Sequence, residues 1–588
     1  MNLIKQRLKA LRTWLTDHAY HACIIPQTDP HLSEYVEEYD KARVYFSGFT
    51  GSAGTLVVTL KEAALFTDSR YYVQAEQQLA ETGIDWCKSD SENEPTLPLW
   101  LSKRIEPGQK VAANAYYFAH KEWQALEQTV TIEHQNQFES LWQERPSLSK
   151  APCVLYQGPT LTCQEKIAKL RQAMQQQAVD ACFVTALDDI AWLLNIRGGD
   201  VAYVPVVRSY LWVDSVCVKW WVDSHKITPP VAQYLVQNNI QVCSYQQIEQ
   251  DLQAMTPAQR VWVDAGNLNQ RIHALLQAKY TLYHKTLWIT EAKACKTLPE
   301  LQAIEQVMVY DAVAWVRTLK WLHTKLADKE LISELDFKDA LIAFKKQHPL
   351  YLDESFEPIV AYGAHGAIVH YEATKQSNIP ILPQGFLLVD AGSHYQYGTT
   401  DVTRTIACGA ITEQQKQVYT AVLQGMISLA EAQFTNQTPS AQLDSLARQP
   451  LKEMQLDYGH GTGHGIGTVL SVHEAGARIS PKSVKPLQVG MVLSDEPGCY
   501  LKDQFGVRIE NMVAVKASKS ETAGNEVLPL HFQVLTCIPL DCSAIDVSML
   551  SNSQIAWINA YHRQVCQKVE PFLTTQEYNW LKTYVYEI

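Results

Sequence analysis

The chain has 588 residues, 46% hydrophobic and 19% charged, which is enough apolar material for several buried cores and too much for a disordered polymer. Its formal charge is −12, from 50 basic and 62 acidic residues, and no long run of lysine or arginine occurs. The usual electrostatic drive toward nucleic acid or an anionic membrane is therefore missing, and neither is expected as a partner.

The first segment, MNLIKQRLKALRTWLTDHAY, spreads Lys5, Arg7, Lys9 and Arg12 among its apolar residues and lacks the uninterrupted apolar core of a signal peptide. The most hydrophobic stretch, 210–221, is broken by Asp214 and Lys219, so no membrane span is expected. Thirteen cysteines, an odd number without a CxxC pair, argue against a disulfide framework or a thiolate zinc site. A reducing cytoplasm is the expected compartment.

LRTWLTDHAYHACIIP repeats 159 residues later as LRQAMQQQAVDACFVT, with Leu11, Arg12, Ala19, Ala22 and Cys23 matching Leu170, Arg171, Ala178, Ala181 and Cys182. Each copy reads as an amphipathic helix followed by a buried strand. Phe66-Thr67-Asp68-Ser69 likewise resembles Trp221-Val222-Asp223-Ser224 at an offset of 155, which predicts two related α/β domains in succession. A proline-containing stretch at 145–159 marks the first linker. A second boundary falls at 286–300, where LWIT reads as a strand and Thr297-Leu298-Pro299-Glu300 as the start of a helix with proline in its first turn.

Beyond it, FLLVDAGSHYQYGTTDVTRTIA reads as strand, turn and strand, with Asp390 ending the first and Asp401 inside the second. A hairpin would set these acids opposite one another. Glu496 ends MVLSDEPG, and Glu510 lies in VRIENMVAV, where Arg508, Glu510 and Met512 share a face. Four carboxylates in apolar strands need compensating positive charge if buried, and one arginine is not enough. Metal ions are the simplest answer; solvation at strand ends is the bland one. In HGTGHGIGTVLSVHE, His460 and His464 have the spacing of a helical metal pair, but four glycines predict extended or looped backbone. His473 follows, and His370 lies upstream in AIVHYEAT, read as an apolar strand.

Together DAG, TTDVTRT, HGTGHGIG, DEPG and RIEN, in this order over 121 positions, resemble the five-ligand dinuclear site of the pita-bread metallopeptidases. SGFTGSAGT, FTDSRYY and ALDDIAWLLNIRGGDV extend the likeness over the whole chain, which resembles the long three-domain Xaa-Pro aminopeptidases of that family. The resemblance implies two creatinase-N-terminal-like α/β domains at 1–152 and 153–290, a pita-bread catalytic domain at 291–531 and a C-terminal extension packed on it at 532–588. It implies a mixed α/β (α+β) fold and a cytoplasmic homodimer. It implies two divalent ions, manganese by family habit with cobalt, iron or zinc chemically compatible, held by Asp390, Asp401, His464, Glu496 and Glu510. The implied reaction is hydrolysis of the bond before a proline at the second position of a short peptide, by a hydroxide shared between the ions. Glu496, His370 and His473 would be its catalytic groups, and Arg70, His370, His460, His464 and His473 would touch substrate. Taken alone, Arg70 reads as a surface salt-bridge residue. His365 and Cys499 depart from the family pattern, where asparagine and tyrosine are usual, and bear on fine specificity and oxidation. Prolidase, restricted to dipeptides, a metal-free peptide-binding scaffold and a dinuclear phosphatase are the alternatives.

Overall fold

The repeat read from the sequence is a repeat of topology in a computed structural model, which describes residues 3–91, 93–255, 259–518 and 527–588. Helix α1 (Leu3–Asp17) leads into the first of six strands: β1 (Ala22–Pro26), β2 (Thr55–Thr59), β3 (Ala63–Thr67), β4 (Asp85–Lys88), β5 (Lys110–Ala113) and β6 (Thr131–His134). Their order across the sheet is β4-β3-β2-β1-β5-β6. Helix α2 (Cys163–Gln176) then leads into β7 (Ala181–Val184), β8 (Ser209–Asp214), β9 (Val218–Val222), β10 (Ile240–Ser244), β11 (Arg260–Val263) and β12 (Thr281–His284), ordered β10-β9-β8-β7-β11-β12. The two orders are equivalent strand for strand. In both, the strand after the helix runs antiparallel to one neighbour and parallel to the other. Cys23 and Cys182, paired in the sequence match, are both fully buried in it.

The repeats meet reciprocally. Ala119 forms an antiparallel bridge with Asn269, Gln270 N–H donates to the Phe118 carbonyl (2.8 Å) and His120 N–H donates to the Leu268 carbonyl (3.3 Å). Ala119 thus meets its own equivalent and the two flanking hydrogen bonds are reciprocal, the pattern of a two-fold interface.

Contacts divide the chain into two compact units, 1–156 with 161–290, and 157–160 with 291–588. The expected strand at LWIT is instead helical, within Trp288–Ala294, because four apolar residues carry no period that separates strand from helix. In the second unit Thr297 caps the 30-residue helix α3 (Leu298–Ala327) through a reciprocal box with Glu300, and Pro299 sits in the first turn as expected. A three-stranded sheet, β13 (Ile359–Tyr362), β14 (Phe386–Asp390) and β15 (Thr403–Ala407), stands beside a six-stranded one. The latter comprises β16 (Gln433–Thr435), β17 (Gly463–Gly465), β18 (Glu474–Ile479), β19 (Val492–Asp495), β20 (Asn511–Ala517) and β21 (Pro529–Val534), ordered β16-β21-β20-β19-β17-β18. Helices α4 (Glu413–Ala430), α5 (Ser440–Glu453), α6 (Asn552–Val569) and α7 (Thr575–Tyr584) belong to the same unit. Val316 and Leu319 of α3, Val389 of β14, Val422 and Met426 of α4, Ile558 and Val565 of α6 and Leu581 of α7 share one core. At about 1.5–3 kcal/mol for each fully buried aliphatic side chain, this core is what fixes the strand ends discussed next.

Candidate active site

Asp390 is the last residue of β14 and pairs in register with Thr403 of β15. Between them the chain makes an excursion: Ser393–Tyr395 pairs with Gly398–Thr399 and with Tyr351–Glu354. Asp401 therefore lies two residues before β15 and not inside it, a correction to the sequence reading. Glycine permits the excursion, since a Cβ on Gly392 would lie 2.0 Å from the Thr400 carbonyl. On the other sheet β19 pairs with β20, ending at Asp495 and Asn511, so Glu496 and Glu510 are the next residues in register, one beyond each strand. Arg508 belongs to a separate hairpin, Gly498–Leu501 with Phe505–Arg508. Four acids converge from strand ends of two sheets.

Their surroundings supply little positive charge. Arg508, fully buried, donates from Nη2 to Asp390 Oδ2 (2.7 Å), from Nε to Thr403 Oγ1 (3.1 Å) and from Nη1 to the Tyr500 hydroxyl (2.8 Å). Burial opposes its charge, but Tyr500, Asp390 and Glu496 hold the guanidinium protonated. Thr403 Oγ1 donates in turn to Glu510 Oε2 (2.7 Å). Burial, reinforced by Asp390 and Glu496, pushes the Asp401 carboxyl well above the usual range. Burial with Asp401 and Asp390 does the same to Glu510, and burial outweighs Arg508 to push Glu496 up to about 7. Asp390 Oδ1 is buried with no hydrogen-bond partner among the described residues.

One ligand atom each from Asp401, His464 and Glu510 lies within 4.8 Å of the others. His464 Nδ1 is 3.0 Å from the Gly465 carbonyl, which only accepts, so Nδ1 carries the hydrogen. The lone pair of Nε2 then faces Asp401 Oδ2 at 3.5 Å and Glu496 Oε1 at 3.4 Å. Imidazole and carboxylate lone pairs aimed at one another from these distances call for a cation between them. Carboxylate oxygens with one imidazole form a donor set for divalent ions, and the unpartnered Asp390 Oδ1 fits the same need.

The histidines fall into two groups. His464 and His473 meet edge to face with ring centroids 4.4 Å apart. His464 lies on β17, extended as the glycines predicted, and His473 immediately precedes β18. His370 is in a turn after a 3₁₀ segment (Gly363–Ala367) and not in the expected strand, because Gly366 and Gly506 pack backbone to backbone there. His460 Nδ1 donates to the Gly461 carbonyl (2.8 Å), and its Nε2 is 2.8 Å from the Tyr500 hydroxyl. Since Arg508 donates to that oxygen, Tyr500 donates to His460. Arg70 lies in the other compact unit, where it chelates both oxygens of Asp68 (2.8 Å each) and stands 3.8 Å from Glu34.

The family departures are structural. His365 binds the buried Glu334 (2.8 Å) and stacks on Tyr371 at 4.3 Å. Cys499 is buried with its thiol pushed up to about 11, which keeps it in the unreactive protonated form. Two groups escaped the sequence reading. Tyr500 joins His460 to Arg508, and Arg448 of α5 binds Asp444 (2.7 Å) and the Tyr458 and His460 carbonyls (2.6 and 2.7 Å), holding the His460 loop. Alternation within the Gly498–Leu501 strand could have flagged Tyr500; nothing local marks Arg448. The other arginine close in sequence, Arg404, is committed to the carbonyls of Thr403, Glu510, Ile538 and Pro539, to Asn511 and to Tyr561.

Known proteins share this arrangement. Residues 302–517 match metallopeptidase family M24, 7–141 and 144–300 each match a creatinase/prolidase N-terminal domain, and 529–588 match the C-terminal region of peptidase M24. Aminopeptidase P2 of Arabidopsis thaliana is 33% identical over 99% of this chain and 88% of its own length. A probable Xaa-Pro aminopeptidase P of Aspergillus niger is 34% identical over 98% of each. The crystal structure of X-prolyl aminopeptidase from Caenorhabditis elegans, described as a cytosolic enzyme with a di-nuclear active site, superposes with a TM-score of 0.94 at 29% identity over the full length of both chains. The Xaa-Pro dipeptidase of Bacillus anthracis shares the fold over 65% of this chain and 99% of its own (TM-score 0.51, 21% identity). With two creatinase-type N-terminal domains ahead of a pita-bread domain whose strand ends gather the acids, the chain belongs to metallopeptidase family M24.

Proposed function

We propose that this chain is a metal-dependent aminopeptidase that hydrolyses the bond between an N-terminal residue and a following proline in short peptides. The observation that carries the reading is the buried acid cluster, four carboxylates against one guanidinium, with the His464 Nε2 lone pair aimed into it. Full-length likeness to relatives named for this activity gives the substrate class, and the prolidase fold match reaches only 65% of the chain. A phosphatase would need free cations beside the metals, whereas Arg404 and Arg508 are both committed to protein acceptors.

Asp390, Asp401, His464, Glu496 and Glu510 would hold two divalent ions, and the oxygen-rich set with one imidazole favours manganese. Bound there, the ions supply Lewis-acid polarisation of the scissile carbonyl and acidify water. Glu496 is the proton acceptor in this reading: burial raises its carboxyl toward neutrality, and its Oε1 stands 3.4 Å from His464 Nε2. His370 and His473 serve as hydrogen-bond donors to the carbonyl oxygen as it gains charge and return a proton to the departing proline nitrogen. That nitrogen must gain one to leave as an amine, as in any amide hydrolysis, and a bond before proline is a tertiary amide with no N–H for the site to bind. His460, with both nitrogens turned to protein groups, offers its ring to the substrate. Arg70 completes the contacts by resemblance.

The division into domains at 1–152, 153–290, 291–531 and 532–588, a homodimeric state and a cytoplasmic location belong to the same reading. No helix among the described residues is long and apolar enough to cross a membrane, and the cysteines are free. Chelated protein assayed with and without manganese on Arg-Pro-Pro, Arg-Ala-Ala and Ala-Pro tests the activity. Metal-dependent release of arginine from the first alone is expected. Preference for the dipeptide would make the chain a prolidase, and no cleavage with any divalent metal would leave it a scaffold.

A further inference from the structure

The acid cluster is not the only buried charge beside these histidines. Lys296 and Glu474 form an ion pair with side chains 2% and 1% exposed. Glu474 is the first residue of β18, follows His473 directly and pairs in register with Gly465, the neighbour of His464. That register is irregular: His464 pairs with Arg478 but Gly465 with Glu474, so the start of β18 is not held by a regular ladder. A Cβ on Gly465 would lie 2.8 Å from the Glu474 carbonyl, so the two backbones are pressed together.

Lys296 also holds the chain that enters β19, on the other side of β17. Its N–H donates to the Gly490 carbonyl (2.8 Å) and Cys295 bridges Met491, the residue before β19, whose chain continues to Glu496. Strand β17, bearing His464, lies between β19 and β18. Lys296 thus fastens the outer two strands, by its backbone to the one leading to Glu496 and by its ammonium to the one following His473.

We infer that Lys296, acting through Glu474, is a positioning residue that sets the spacing of His473 and His464 against Glu496. The inference rests on the functional reading above. A buried pair can often be replaced by apolar residues without loss of stability, whereas removing one partner strands a charge. A pair kept for stability alone would therefore be dispensable; one kept for geometry would not, since small displacements of reacting groups cost large factors in rate.

The test compares wild type, Lys296→Met, Lys296→Arg and the double variant Lys296→Met/Glu474→Leu, each loaded with manganese. Folding, metal content, kcat and KM on Arg-Pro-Pro are measured. The double variant should fold and bind as much metal as wild type, with kcat reduced about tenfold or more and KM within about threefold. Lys296→Arg, which retains the pair, should recover most of the loss. Unchanged kcat in a folded double variant would overturn the inference and leave the pair purely structural. Failure of both the double variant and Lys296→Arg to fold would also overturn it, by making the pair a folding element. Inactivity of the loaded wild type would instead overturn the functional reading.

Discussion

Buried charge is handled in opposite ways in two clusters, one in each compact unit. In the first unit the buried Glu37, Asp40, Glu139 and Asp200 each meet a protein cation. Arg208 pairs with Glu37 (2.9 Å) and Asp40, Arg145 with Glu139 (2.6 Å) and Lys226 with Asp200 (2.6 Å), all half-buried or better. In the second unit Asp390, Asp401, Glu496 and Glu510 share Arg508 and one imidazole, and the adjacent Asp495 is fully buried with neither oxygen hydrogen-bonded among the described residues. A fold that neutralises its acids from its own side chains is finished as translated. One that leaves an excess of buried carboxylate is built around cations from outside.

The sharpest way to break this contrast is substitution at the site itself. Asp401→Ala should lose metal and reduce turnover below detection; full retention of both ions, measured by plasma mass spectrometry, would remove Asp401 from the ligand set. His370→Ala should keep its metal and lose roughly 10²- to 10⁴-fold in kcat, the range for a general acid or base. Unchanged turnover would take it out of the mechanism. In the first unit the same kind of change acts on stability: Arg208→Met strands Glu37 and Asp40 and should cost about 3–5 kcal/mol in urea unfolding. In metal-free protein Asp401→Asn should do the reverse and raise the melting temperature, because burial, with Asp390 and Glu496, opposes its charge.

Two smaller effects sharpen the picture. Tyr500→Phe removes the hydroxyl between His460 and Arg508 and should cost about 10- to 100-fold in activity, as loss of a supporting hydrogen bond does. His562, buried on α6 with Nε2 accepting from the Leu540 N–H (3.2 Å), is held neutral by burial and Arg404, with its pKa lowered to about 3 from an ordinary 6.5. Because the folded value lies below the unfolded one, stability is full above about 6.5 and declines as pH falls toward 3. Replacing His562 by asparagine should flatten that slope, as followed by unfolding midpoints from pH 7 to 4.

What the sequence made legible was local. The helix-strand repeat showed because identities at one offset survive where Cys23 and Cys182 are sealed into matching sheets. The acids showed because each stands beside a glycine turn or a strand end. Thr297 announced α3 by its capping pattern. What was hidden depends on partners far along the chain. Asp401 leaves its strand because the preceding loop pairs with Tyr351–Glu354, and Asp390 is gripped by Arg508, 118 residues away. His370 is placed by Gly366 against Gly506. Periodicity within a segment carries no signal of such contacts.

Calorimetric titration of the chelated protein with manganese at pH 7, repeated in buffers of different ionisation heat, addresses the acid cluster most directly. Saturable uptake of two ions per chain with release of protons is predicted, because carboxyls raised by burial and by one another must ionise to accept them. A folded protein that takes up no ion, or binds without proton release, would contradict the account.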